Sequence, residues 1–158
     1  MSLRNTLIRR FMGSVLAISA ALARRPRLQW LSDLWARGLA AFTVRARGIR
    51  PQTEVKALGK TWQRSFPSAK QVPVTGVDAR TVYAEIHTPC PLRGSGDVHA
   101  CHRMMEYDRA VMRRAGAQFV VLRSQAEPGI TRCQVAMRRL DDAVDDLVPA
   151  HLRPPAAP

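Results

Sequence analysis

The chain has 158 residues, 46 % of them hydrophobic and 23 % charged, and its 25 Lys and Arg against 12 Asp and Glu give a net charge of +13. That length suits one domain with a true core and not two, and three cysteines cannot build a disulfide-rich secreted scaffold. The charge is uneven: residues 1–66 carry thirteen Lys/Arg against Asp33 and Glu54, a net of +11, while residues 67–158 carry twelve against ten, a net of +2.

A basic segment of this kind suits an anionic membrane, a nucleic acid or an acidic protein, since all three offer it the same favourable field. No DNA- or RNA-binding motif accompanies it, which makes nucleic acid the weakest of the three. The cysteine usage fits free thiols, a metal site or a reactive cysteine in a reducing compartment, and so a cytoplasmic protein, peripheral at the membrane if its basic helices bind lipid.

Arg9 and Arg10 precede an apolar run from Phe11 to Ala23 that resembles a secretory signal. Arg24, Arg25 and Arg27 follow the candidate cut and oppose export. The run is too short to span a bilayer, which takes roughly 20 residues. It reads instead as an uncleaved helix over 3–23, with Leu3, Leu7, Phe11, Val15, Ile18 and Leu22 at helical spacing.

A second helix is expected over 28–46, with Leu28, Leu31, Trp35, Leu39 and Phe42 facing inward and Ser32, Asp33 and Arg37 outward. Gly48 and Pro51 close it. A third covers Thr53 to Phe66, with Val55, Leu58 and Trp62 inward. These helices either pack on the core or a second subunit, or the first lies on a membrane surface with its arginines on anionic lipid.

Beyond Val72 the period falls to two. Thr81–Thr88 alternates as a strand, and Phe119–Ser124 and Ile130–Arg138 form a hairpin across Pro128-Gly129, the centre of a type II turn. A continuous helix is expected from Asp97 to Ala115 and a short acidic one from Asp141 to Val148. The proline-rich end, 149–158, reads as a disordered tail. The whole is an α+β chain: a basic amphipathic helical segment at 1–50, then a cysteine-containing domain at 51–148 whose antiparallel sheet packs against a helix.

All three cysteines fall between Cys90 and Cys133. With Asp97 as N-cap, the helix gathers Val98, Cys101, Met104, Met105, Val111, Met112 and Ala115 on one face and His99, Arg103, Glu106, Arg109 and Arg113 on the other. Asp108 falls inside the apolar stripe, where a carboxylate must be paired, protonated or used. Cys133 shares a strand face with Val135 and Met137. Three thiols and a carboxylate are therefore expected to meet in a Met-rich pocket between helix and sheet, able to hold a small-molecule ligand.

Two chemistries stay open there. Cys101, in the first turn of a helix, is a candidate nucleophile, with Asp97 or Asp108 as acid or base. Cys90, Cys101 and Cys133 are alternatively metal ligands, for zinc or an iron–sulfur cluster, with His87, His99 or Asp97 as a fourth donor. The spacing Cys-x10-Cys-x31-Cys matches no standard site of either kind. Each cysteine can also be a small buried hydrophobe.

Cys90-Pro91 at a strand end, Cys101 and Asp108 along the next helix, and a hairpin with Gly129 and Cys133 together resemble the L-2-amino-thiazoline-4-carboxylate hydrolase-like family, over roughly residues 55–138. The resemblance implies an α+β hydrolase opening a small cyclic C–N or C–S substrate, with the cysteines near the site. A second likeness is to small-molecule-binding domains related to 4-vinyl reductases.

Overall fold

The structure, a computed structural model, describes residues 3–154, with side chains from residue 13 onward. The side chains of Leu3, Leu7 and Phe11 and the last four residues of the expected tail lie outside the described residues. The chain is α+β. Helices α1 (Leu3–Ala23), α2 (Gln29–Arg47) and α3 (Val55–Gln63) lead into strands β1 (Val74–Val77) and β2 (Val82–Ile86). Helices α4 (Val98–Met104) and α5 (Glu106–Arg114) follow, then β3 (Ala117–Arg123) and β4 (Cys133–Arg139).

The strands form one antiparallel sheet in the order β1-β2-β4-β3. β2 pairs with β4 through Ile86–Cys133 and Ala84–Val135, and β3 pairs with β4 through Phe119–Met137 and Val121–Val135. The β3–β4 connection ends in the expected turn: Gly129 has φ 75°, and the Ile130 N–H reaches the Glu127 carbonyl at 3.3 Å. Only glycine adopts such a φ without strain. β1 is an addition to the expected strands, bulged between Val74 and Gly76.

Helices α3 and α5 lie against the sheet, and α1 and α2 pack over α4 and α5. Ala20, Ala23, Ala40 and Ile49 belong to the same buried cluster as Leu58, Trp62, Val82 and Val135. No packing boundary therefore falls at residue 50. The link is polar as well: Arg24 donates to the Pro91 carbonyl at 2.8 Å and Arg103 to the Ala23 carbonyl at 2.6 Å.

The face that α2 buries is not the expected one. Ser32, Ala36 and Ala40 are buried, whereas Phe42, expected inward, is exposed along with Trp30 and Leu34. The reason is steric. Small residues four apart let α2 approach α5 closely, while Trp35 turns sideways to α1 and donates its indole N–H to Ser19 at 3.0 Å.

The expected helix at 97–115 breaks at Met105. The His102 carbonyl accepts from the Arg109 guanidinium at 2.8 Å, a side chain taking the place of an intrahelical donor. Asp141–Val148 is not helical either. Buried Arg138 reaches back to the Ala143 carbonyl and to Asp146 Oδ2, both at 2.7 Å, and so holds the segment in an open course over the sheet. Residues Ala150–Leu152 form a 3-10 turn with Ala150 buried, so the expected disordered tail is ordered at its start.

Gly59 marks how closely α3 meets the sheet, because a Cβ there would stand 2.8 Å from methyls of both Val74 and Val82. Gly59→Ala sets a helix-propensity gain of about 1 kcal/mol against an overpacking cost of about 1–3 kcal/mol. A net loss of stability is expected in urea unfolding, and a stabilised variant would show that the contact yields.

Candidate functional site

The Cys90–Cys133 stretch is organised by a glutamine. Gln125 is fully buried, and its Oε1 accepts from the Cys90 N–H at 3.1 Å and from Arg93 at 2.6 and 2.9 Å. Its Nε2 donates to the carbonyls of Ile86 at 3.2 Å and Thr88 at 2.9 Å. The Gly-Ser-Gly turn lies alongside, with Gly94 and Gly96 donating to the carbonyls of Gln125 and Ala126, each at 2.8 Å. The loop leaving β2 is thus sewn to the loop leaving β3.

The three cysteines are free thiols, Cys101 and Cys133 buried and Cys90 partly so. Burial pushes Cys101 up to about 12, against a hydrogen bond with Ser124, and the fields of Cys133, Cys90 and Asp108 add to the rise. Burial likewise raises Cys133 to about 11, although its sulfur accepts the Gln125 N–H at 3.3 Å. Cys90 is raised for the same reason, its Sγ accepting from the Leu92 N–H at 3.4 Å. The expected activation of Cys101 by a helix N-terminus is therefore outweighed by desolvation, and these sulfurs are neutral near pH 7.

The structure lends no support to the alternative ligand set Cys90, Cys101 and Cys133 for zinc or an iron–sulfur cluster. Among the described residues no group of three or more His, Cys, Asp or Glu side chains is placed to hold a metal ion. Two of the three proposed fourth donors are committed elsewhere: His87 pairs with Glu85 at 2.7 Å, and Asp97 accepts the Ala100 N–H at 2.7 Å as the N-cap of α4. That cap also occupies the carboxylate expected to serve as acid or base.

Asp108 is where periodicity placed it, buried in the apolar face of α5. Its partner is the Trp62 indole, which donates to Oδ1 at 2.8 Å. Burial nevertheless raises the carboxyl to about 6, against the pull of Trp62 and Arg109. Cys101, Cys133 and Asp108 are all buried, and the fields of Cys133 and Asp108 fall on Cys101.

An open site adjoins this interior at Cys101. A cavity of about 60 Å³ is lined by Cys101, His102, Arg109, Phe119 and Val121, and roofed by Ala150 and His151 of the 3-10 turn. The imidazoles of His102 and His151 stack with centroids 3.8 Å apart, and His99 meets His151 edge-on at 6.0 Å. Arg109 holds this arrangement. It bonds Glu106 at 2.9 Å and the His102 carbonyl at 2.8 Å, and its NH1 lies 3.3 Å from His102 Nδ1.

A guanidinium only donates, so Nδ1 is the acceptor and His102 is a neutral imidazole presenting Nε2–H. Burial first, then the charge of Arg109, holds His102 down to about 4. His151 is lowered by burial and by His99 and Arg109. Sequence reasoning set His99 aside on the polar face and left His151 in a tail. The usable signal was the seven-residue spacing from His102 to Arg109, which puts both on one face of a helix.

The chain matches no protein-family model, no curated protein and no solved structure.

Two groups titrate against each other. The native Asp108 carboxyl, at about 6 against an ordinary 3.8, binds more protons than the unfolded chain between those values, so its contribution to stability falls as pH rises. His102, at about 4 against 6.5, binds fewer, so its contribution rises over nearly the same window. Asp108→Asn keeps an acceptor for Trp62 and removes the first contribution. Its stability relative to the wild type should climb between about pH 4 and 6, as read from urea midpoints; parallel profiles would place the Asp108 titration outside that window.

Proposed function

We propose that this protein is a peripheral module that docks on an anionic lipid surface through the outer face of α1 and α2. The observation that carries the reading is the exposure of Trp30 (66 %), Leu34 (63 %) and Phe42 (73 %) on α2, with Ile18 of α1 also exposed. Large apolar side chains scattered singly are ordinary on a surface. Here they share the side of one helix opposite its packed face, next to exposed Arg25, Arg27 and Arg45. Asp33 is the sole acid in residues 1–53.

Charge complementarity together with the exposed apolar side chains supports this partner. Inserting such side chains into the headgroup boundary yields about 1.5–3 kcal/mol for each one fully buried, and each nearby arginine adds about 1 kcal/mol on an anionic leaflet. An uncharged apolar partner would leave the arginines unanswered. No helix among the described residues is long and apolar enough to cross a membrane, so the contact proposed is with the surface.

A catalytic reading along the lines of the hydrolase resemblance has one point in its favour: Cys101, Cys133 and Asp108 lie close enough to act on one another electrostatically. It is the weaker of the two. A cysteine nucleophile works as an accessible thiolate, and these sulfurs are buried and neutral.

In sedimentation with vesicles, the protein should pellet with phosphatidylcholine containing phosphatidylserine and stay in solution with phosphatidylcholine alone. Trp30→Ser, Leu34→Ser and Phe42→Ser should each weaken binding, as should added salt. Equal binding to neutral vesicles, binding to neither, or a stable oligomer that buries Trp30 in solution would overturn the reading.

A further inference from the structure

The cavity under the 3-10 turn has a composition that defines a ligand. Its floor is apolar, from Val98, Phe119 and Val121, and its polar wall is Arg109, His102 and His151, with no acidic residue among its lining. Within the described residues, neither nitrogen of His151 nor Nε2 of His102 makes a hydrogen bond, so three imidazole positions remain for a guest. Behind the wall, Arg37 and Arg109 bond the buried Glu106 carboxylate at 3.0 and 2.9 Å, and Arg113 lies 3.9 Å away. The fields of Asp33 and Asp108 fall on Arg37 and Arg109. Of these charges only Arg109 is in the cavity lining, with no carboxylate beside it there.

We propose that this cavity is a binding site for a small carboxylate with a short apolar body, held at its anionic end by His102, His151 and Arg109 and at its other end by Val98, Phe119 and Val121. Size sets the upper limit. A dry cavity of roughly 150 Å³ accommodates benzene, so the 60 Å³ here encloses roughly two to three non-hydrogen atoms of the ligand. The partly open mouth lets a longer ligand trail into solvent. Charge sets the sign: a cation would meet Arg109 in a lining that holds no carboxylate, whereas an anion is answered by it.

Arg109 contributes a second property. By fixing His102 Nδ1 as an acceptor it leaves Nε2 as an N–H donor, the correct polarity for a carboxylate oxygen. His151 rides on the 3-10 turn and completes the wall only while that turn is docked. The site belongs to α4, α5, β3 and the turn, on elements distinct from the outer face of α2, and it stands or falls independently of lipid binding.

The test is a titration of the full-length protein with propionate, and with propylammonium as the cation of matching size, followed by NMR of the four histidine rings. Propionate should shift His102 and His151 saturably, raise their protonation midpoints by the field of the bound anion, and leave His87 unmoved. Propylammonium should shift none of them. Ala150→Leu, which fills the cavity and removes no polar group, should weaken propionate binding by about tenfold or more; His151→Ala should weaken it while His102 still reports the residual binding. Equal shifts with the cation, shifts that do not saturate, an effect on His87 as large as on His102, or undiminished binding by Ala150→Leu would each overturn the site.

Discussion

One buried carboxylate sets the relation between the two halves of this molecule. Glu106 opens α5 and is nearly closed to solvent, where an unpaired charge would be untenable. Burial pulls its carboxyl upward, but the hydrogen bonds and charges of Arg37 and Arg109 outweigh that and hold it below the ordinary carboxylate range. Arg37 comes from α2 and Arg109 from α5 itself. The first pairing settles which side of α2 faces the domain and so which side is left to solvent. The second aims the remaining donors of Arg109 at His102, which bends the helix at Met105 and fixes the tautomer of the imidazole below it.

Both candidate surfaces are therefore consequences of the same ion cluster. If α2 turned so that Trp30, Leu34 and Phe42 packed inward, Arg37 would leave Glu106, and the bulky side chains would force the helices apart where Ser32, Ala36 and Ala40 now permit close contact. Losing Arg37 from the buried Glu106 carboxylate and losing the close contact of α2 with its neighbours both oppose that turn. A stripe of exposed hydrophobic residues accompanies this orientation of the helix, in which its small residues pack and Arg37 reaches Glu106.

Much of the fold was legible in the sequence. The α+β class, the hairpin through Gly129 and the glycine stop at Gly48, which has φ 59°, follow from local rules that tertiary contacts did not override. So does the burial of Cys101, Met105, Val111, Met112 and Ala115 along one side of α4 and α5. The orientation of α2 was not legible, because hydropathy periodicity finds the bulkiest apolar stripe and helix–helix contact here selects the smallest residues. The non-helical course of 141–148 depends on Arg138, a long-range partner that no local pattern announces. His151 was hidden for a similar reason: its neighbours in sequence are prolines and its neighbours in space are His99 and His102.

The cysteines show how proximity in sequence can mislead about chemistry while being right about structure. They do lie together, yet the interior that gathers them also neutralises them, because desolvation outweighs the hydrogen bonds that Gln125 and Leu92 donate to their sulfurs. As neutral acceptors they help the loop after β2 and the loop after β3 satisfy backbone N–H groups that water cannot reach. Their role is then the same as that of Gln125, to close the floor on which α4 rests. Imidazoles with unused hydrogen-bonding capacity stand around the adjoining cavity, His102 beside Arg109 and His151 stacked on His102. Reactive potential in this fold follows what the packing leaves unsatisfied, and the packing satisfies the thiols first.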